Sequence, residues 1–339
     1  MKRLVVALFA LTSACSYFKK DIQPKEPVAP ASTTQSALKA KRDLYIAQQP
    51  KAMDSIGWPV ESKCDGLLFC SLDATGGGAC NPLLAEKGAG HWLRHPDGSC
   101  YPCPGGSCSE NSKDQFLGLM PYLFVKKPAT ALQEAEAIAA YGEANSWYMG
   151  AASDESKKLS NELFLPPFRA TVYELVAQLG GPNNDQRLIP QVWIPTATGY
   201  ERHLQVLHIV LRGIMQNGID ALELDYLESC AEKEPNNALY VAAYHRFKDG
   251  DQSAAAALLG DTSKFPDDGL PTSANYCTDY LYQRDETVIS LALKKCQATP
   301  GQDCAAFELT PNPDWLPCPD KAATHAGIDF IFTVWMMGL

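Results

Sequence analysis

Residues 200–260 read YERHLQVLHIVLRGIMQNGIDALELDYLESCAEKEPNNALYVAAYHRFKDGDQSAAAALLG, and this stretch decides the fold class. Apolar residues recur in it every three or four positions in four successive blocks, a spacing typical of amphipathic helices. The segments NGID, EPNN and KDGD separate the blocks and supply turn residues. The chain is therefore predicted to be mainly α-helical, with helical hairpins in this region.

One part of the stretch, PNNALYVAAYHRFKDGDQSAAAALL, resembles a tetratricopeptide (TPR) repeat. Pro235 falls at the repeat junction, Gly250 at the turn, and Ala243 and Ala255 at the small positions where the two helices touch. In that family each unit of about 34 residues is a helical hairpin. The resemblance predicts TPR-like hairpins over residues 200–260.

The preceding unit matches the TPR pattern less well. Gly218 marks its turn, 32 residues before Gly250, but Glu223 stands where a small residue belongs. About one and a half units are convincing, fewer than the three that a free-standing solenoid needs. Generic helical hairpins are the alternative. TPR proteins hold partner segments in a groove between hairpins, so the resemblance implies a protein-binding surface with four candidate contact residues: Tyr240, Tyr244, His245 and Arg246.

Residues 1–15, MKRLVVALFALTSAC, have the form of a secretory signal peptide, with an apolar run well below the roughly 20 residues that span a bilayer. The small residues before Cys15 resemble a bacterial lipobox, in which the cysteine is lipidated and becomes the new N-terminus. Thr12 replaces the usual leucine, and cleavage after Ala14 without lipidation is the alternative. The resemblance implies an exported lipoprotein of the cell envelope, and Ser16 favours the outer membrane, facing the periplasm or the surface.

The rest of the chain divides by composition. Residues 16–50 are rich in Pro, Lys, Ser and Thr, which predicts a flexible tether, although SALKAKRDLYIAQQ can form a short helix. Residues 51–115 are predicted to form a small disulfide-rich, loop-dominated N-terminal module. Residues 116–339 are predicted to form the helical body with a disulfide-clamped tail. The terminal GIDFIFTVWMMGL is short and carries Asp329, which favours a buried helix or strand over a membrane contact.

Twelve cysteines in an exported chain indicate disulfide bonds. If Cys15 is lipidated, an odd number remains, and Cys230 is predicted to be the buried unpaired one because a thiol packs as a small apolar group. The sequence does not pair the others. The candidates are Cys64, Cys70, Cys80, Cys100, Cys103 and Cys108 in the Gly/Pro-rich stretch, and Cys277, Cys296, Cys304 and Cys318 in the tail.

The segment Cys100-Tyr-Pro-Cys103 looks like the active motif of thioredoxin-type oxidoreductases, which implies Cys100 as nucleophile. Pro-Gly-Gly follows Cys103, however, and is a poor continuation of the helix on which that chemistry depends. His91 and His95 lie close by in sequence and make zinc a second alternative, but a zinc ribbon needs two matched ligand pairs. Structural disulfide bridging is the preferred interpretation.

The net charge and the lack of catalytic motifs disfavour several classes of function. The net charge of −10 disfavours nucleic acid as a partner. The chain has no GxSxG, HExxH, P-loop or GxGxxG motif, so no catalytic residue, metal or cofactor is predicted. His203 and His208 are interpreted as ordinary helix residues, and the acidic run over residues 220–228 as a solvated helix face.

The predicted function is that of an envelope lipoprotein. It would be held to the membrane through its N-terminal lipid and would bind one or more envelope proteins through its helical body. One alternative is an envelope enzyme, either a thiol oxidoreductase or a cell-wall hydrolase. Another is a structural component that assembles with copies of itself.

Overall fold

The computed structural model describes residues 22–25, 32–59, 66–98, 111–150, 163–182, 200–272 and 324–339, and within them the chain is mainly α-helical, as predicted. Two short strands, β1 (Glu86–Gly88) and β2 (His91–Trp92), pair antiparallel with Glu86 opposite Trp92. The α-helices in these ranges are α1 (Ser32–Gln48), α2 (Gly66–Gly76), α3 (Lys113–Lys126), α4 (Ala131–Ala144), α5 (Pro166–Gln178), α6 (Tyr200–Gln216), α7 (Ala221–Lys233), α8 (Ala238–Lys248), α9 (Ser253–Leu259) and α10 (Ile328–Met336).

Among the helices that the structure describes, α2 and α10 are the most completely buried. Every residue of α2 is buried, and α2 packs against both α3 and α10. The approach to α3 is close at Gly118, where a Cβ atom would lie 2.5 Å from the carbonyl oxygen of Leu68. Helix α10 is buried except for Trp335, which confirms the prediction of a buried C-terminal helix or strand. None of the helices in the described ranges has the length and apolar character needed to cross a membrane.

The predicted loop-dominated character of residues 51–115 is wrong for α2. The sequence GLLFCSLDATG forms a helix that is buried on every side, so it shows no apolar face and no helical periodicity. The boundary at residue 115 does not separate two cores either. One group of buried side chains joins Leu68 of α2 to α6–α10, and a second joins Leu67 of the same helix to α3–α6.

The predicted tether over residues 16–50 is wrong from residue 32 onward, where the helix that SALKAKRDLYIAQQ can form is present and is longer than that stretch predicted. Residues 32–48 form α1, which packs against α10. Leu38 and Tyr45 enter the core on one face of α1, and Lys41 lies between them on the same face. The Lys41 ammonium group donates to the carbonyl of Phe265 at 2.8 Å and pairs with Asp267 at 2.6 Å. This buried lysine interrupts the apolar stripe by which the sequence would have revealed a packed helix.

The helical hairpins over residues 200–260 are present. Helix α8 packs against both α7 and α9, and Gly250 has the positive φ of 81° in the turn between α8 and α9. Ala243 and Ala255 are fully buried, consistent with small residues at a helix contact. Two packed helix pairs do not by themselves establish a repeat, so the TPR-like arrangement stays a prediction.

Candidate functional site

The four predicted contact residues on α8 differ in their exposure. Tyr240 is 0% exposed and Tyr244 is 7% exposed, whereas His245 and Arg246 are half-buried. His245 Nδ1 lies 2.9 Å from Asp249 Oδ1, and the Arg246 guanidinium donates to the main-chain carbonyl of Met336 in α10. Tyr240 is therefore part of the core in this structure, and solvent reaches the helix mainly at its C-terminal end.

Tyr244 belongs to a small polar group between α7 and α8. Its hydroxyl donates to the carboxylate of Glu228, and the Lys248 ammonium group lies 4.7 Å from the centre of its ring. Burial and the Glu228 carboxylate raise the pKa of Tyr244, so this phenol remains protonated at neutral pH. The hydrogen bond and the ring contact fix the tyrosine in place.

A second feature lies at the turn between α6 and α7, where residues 22–25 run along the helical region. Ile22 forms a two-way antiparallel bridge with Ile219: the Ile22 amide donates to the Ile219 carbonyl at 2.6 Å, and the Ile219 amide donates to the Ile22 carbonyl at 2.9 Å. The side-chain amide of Asn217 donates to Gln23 Oε1 at 2.7 Å. An extended segment is thus bound by main-chain pairing, as in strand addition.

The same segment also reaches the C-terminal end of α8. The Lys25 amide donates to the carbonyl of Arg246 at 2.9 Å, one of the last four helix carbonyls that lack a partner within a helix. The Ile22 side chain packs against the core that includes α6–α10. We call this place the 217–219 notch; it is formed by residues 217–219 and the Arg246 carbonyl.

The cysteines that the structure describes are Cys70, Cys80 and Cys230. Cys70 and Cys80 are joined in a disulfide bond, and Cys230 is buried and unpaired as predicted. Burial raises the pKa of the Cys230 thiol to about 12, which leaves it unreactive at neutral pH. The remaining candidates lie outside the described residues: Cys15, Cys64, Cys100, Cys103, Cys108, Cys277, Cys296, Cys304 and Cys318.

Asp73 is a buried carboxyl that the sequence did not single out. It lies on α2 within the loop closed by the Cys70–Cys80 bond, where Gln49 Nε2 donates to its Oδ1 at 2.5 Å and the Cys80 amide to its Oδ2 at 3.2 Å. Burial raises the pKa of Asp73 to about 6. A Cβ atom on Gly78 would lie 2.1 Å from the carboxylate oxygens, so the loop is closed tightly over the group. Its contacts indicate a structural role.

The two histidines of the zinc alternative have separate partners. The His91 ring stacks on Tyr141 with the ring centres 5.3 Å apart. His95 is buried between two carboxylates, with Nε2 2.9 Å from Asp54 Oδ2 and Nδ1 2.7 Å from Asp97 Oδ1. Across the described ranges, no three His, Cys, Asp or Glu side chains come together in a way that could hold a metal ion. The His95 contacts tie two loops together.

The interpretation of residues 220–228 as a solvated face is wrong for Glu223. This residue is 1% exposed and pairs with Arg212 of α6. It also completes a capping box at the start of α7, because its carboxylate accepts from the Asp220 amide at 3.0 Å while Asp220 Oδ1 accepts from the Glu223 amide at 2.9 Å. The Asp-x-x-Glu spacing was the available signal for this role.

His203 and His208 lie inside the core on α6. His208 Nε2 lies 2.8 Å from the hydroxyl of Thr171 on α5. Burial, aided by the Arg212 charge, lowers the pKa of His208 to about 3, so the ring is neutral at physiological pH. This agrees with its interpretation as an ordinary helix residue.

An open cleft of about 550 Å³ lies where α1, α2, α3 and α10 meet. Its lining includes Arg42, Gly77, Lys126 and Trp335. Arg42 donates to the carbonyl of Leu339 at 2.5 Å and to Asp43 at 3.4 Å, so much of its guanidinium is already engaged. The lining is chemically mixed and selects no class of reaction.

In comparisons with known proteins, no family model, no curated protein and no solved structure matches this chain.

Proposed function

We propose that this protein is an envelope-anchored lipoprotein that binds other envelope proteins through its helical body. The N-terminal sequence supports the proposed location in the cell envelope, because the small residues before Cys15 resemble a lipobox. The TPR-like spacing over residues 200–260 supports a protein-binding role.

The observation that carries the proposal is the 217–219 notch. It pairs by main-chain hydrogen bonds with an extended segment, residues 22–25, and this is a recurring way in which proteins bind peptides. The partly exposed His245 and the exposed Lys248 lie on the last turn of α8, beside the Arg246 carbonyl that forms part of the notch. A protein partner that docks here has both main-chain groups and charged side chains to contact.

Crosslinking in living cells tests this proposal. The tagged full-length protein is crosslinked, purified from membranes and analysed by mass spectrometry for its partners and for the linked residues. One dominant envelope partner linked within residues 200–260 is the expected result. Background proteins alone, without enrichment over an unrelated tagged lipoprotein, would contradict the proposal.

Lipidation is measured separately. The mass of the N-terminal peptide is expected to show acyl chains on Cys15, and Cys15→Ser is expected to release the protein from the membrane fraction. An unmodified N-terminus at Cys15 would indicate cleavage after Ala14 and would contradict the anchor.

A further inference from the structure

We propose that residues 22–25 are the resting occupant of the 217–219 notch and compete with a partner's extended segment of the same chemistry. This inference rests on the proposed function, because it names the kind of segment that the helical body would bind. The observation is that the notch is filled by a segment outside the helices, held mainly through its backbone.

The contacts define what the notch recognises. The first residue needs a free amide and a free carbonyl for the bridge to Ile219, together with an apolar side chain that packs as Ile22 does. The second needs a side-chain acceptor for Asn217, and the fourth needs an amide for the Arg246 carbonyl. The third position tolerates proline, as Pro24 shows. A matching partner therefore presents an aliphatic residue, a residue with a side-chain acceptor oxygen, any residue and then any residue except proline.

The segment is suited to exchange. It contributes three main-chain hydrogen bonds, each of which replaces hydrogen bonds to water, and its ordering costs conformational entropy. Gln23 and Lys25 are exposed, so little apolar surface apart from Ile22 holds it in place. The covalent link to α1 offsets this weak binding. Only six residues separate Lys25 from the first residue of α1, and such a short linker gives the segment a high effective concentration at the notch.

Gly218 makes the close approach possible. A Cβ atom on this residue would lie 2.8 Å from the Ile22 carbonyl oxygen, which is fixed by its bond to Ile219. Gly218→Ala therefore obstructs the notch itself, whatever segment occupies it. Gly269 offers a matched control, because a Cβ there would meet only Gln48 Oε1 at an ordinary 3.7 Å.

The test measures binding of a fluorescent peptide, KDIQPKEP (residues 20–27), to the full-length protein by fluorescence polarisation. Ile22→Asp disables the resident segment, because a carboxylate cannot pack against the core. This variant is expected to bind the peptide at least about tenfold more tightly than the wild-type protein does. Ile56→Asp, at an isoleucine that is 44% exposed elsewhere, is expected to bind like the wild type.

Two further measurements locate the binding. Adding Gly218→Ala to Ile22→Asp is expected to abolish peptide binding, whereas adding Gly269→Ala preserves it. A peptide with Lys25→Pro, which lacks the amide for the Arg246 carbonyl, is expected to bind about tenfold more weakly. This last result compares two peptides on the same protein, so it holds whatever Gly218→Ala does to folding.

Equal peptide affinity of Ile22→Asp and the wild type would overturn the proposal, and so would full binding of the Lys25→Pro peptide. A wild-type dimer that becomes monomeric in Ile22→Asp would show that the segment docks on a second copy, and would also overturn it. Failure of the proposed function looks different: the peptide would bind as expected while crosslinking in cells recovers no envelope partner.

Discussion

Helices α2 and α10 are enclosed by protein, whereas α7 keeps one face in solvent and α8 meets solvent mainly at its C-terminal end. Of α10, only Trp335 is more than slightly exposed, but α7 carries Leu222 at 65% exposure on its outer side. The enclosed pair holds the two groups of buried side chains together through contacts with α1, α3 and α8. The enclosed helices are therefore expected to contribute most to stability, and the proposed partner would have to dock on the surface that α7 and the last turn of α8 leave open.

The largest expected difference between the two regions is the cost of removing an apolar side chain. The ring of Phe330 on α10 lies 4.9 Å from that of Tyr45 and 5.1 Å from that of Phe265. Phe330→Ala is therefore expected to lower the free energy of unfolding by about 3–5 kcal/mol. Leu222→Ala on α7 is expected to change it by less than about 0.5 kcal/mol. Denaturant unfolding measures both, and similar costs would refute the comparison.

The next largest effect is the pH dependence that Asp73 gives to the enclosed region. Because its pKa in the folded protein is raised to about 6, the folded state holds the proton more tightly than the unfolded state does. The stability that this group contributes is full below about pH 4 and is lost as the pH rises through about 6, a change of about 3 kcal/mol. Asp73→Asn is expected to remove that loss, so its free energy of unfolding rises relative to the wild type between pH 4 and pH 8.

Asp54 serves as a control, because its pKa is shifted in the opposite direction to that of Asp73. Burial opposes ionisation of its carboxyl, but hydrogen bonds from the Trp58 and Ile56 amides and from His95 outweigh it, so the pKa of Asp54 is lowered. Its contribution is present above its ordinary pKa and is lost as the pH falls. Asp54→Asn is therefore expected to be less stable than the wild type by a nearly constant amount between pH 4 and pH 8, and this difference shrinks only as the pH falls below about 4. Parallel profiles for Asp73→Asn and the wild type would show that the buried carboxyl does not titrate as described.

The smallest effect concerns the capping box that starts α7. Asp220→Ala removes the side-chain acceptor for the Glu223 amide and is expected to cost about 1 kcal/mol of the free energy of unfolding. Asp225→Ala, at an exposed position further along the same helix, is expected to cost less than about 0.5 kcal/mol. Unfolding midpoints that coincide for the two variants would mean that the cap does not contribute.

The helices over residues 221–259 were predictable from their sequence pattern and their end signals. Helix α7 mixes apolar and polar residues at helical spacing, Asp220 and Asn237 stand at the starts of α7 and α8, and Gly250 lies in the turn after α8. Helix α2 has no outer face, so its sequence carries no such pattern and suggested loops. In α1 the pattern existed but was interrupted by Lys41, whose partners Phe265 and Asp267 are far away in the sequence.

The 217–219 notch could not be predicted from the sequence for a related reason. Its hydrogen bonds join the main-chain groups of Ile22, Ile219, Lys25 and Arg246, and every residue type except proline carries these groups. Sequence reasoning placed the partner surface on α8 side chains, yet Tyr240 is core. Only the fold shows that the Arg246 carbonyl, which has no partner within α8, lies beside the turn before α7.

Amide hydrogen exchange at Ile219 tests most directly whether the notch holds an extended segment. In the wild type this amide donates to the Ile22 carbonyl and is expected to be protected, and Ile22→Asp is expected to raise its exchange rate at least about tenfold, together with that of the Lys25 amide. The Gly250 amide, which donates to His245 at 2.7 Å, serves as the internal reference and should not change. Fast exchange at Ile219 in the wild type, or protection that survives Ile22→Asp, would contradict the account.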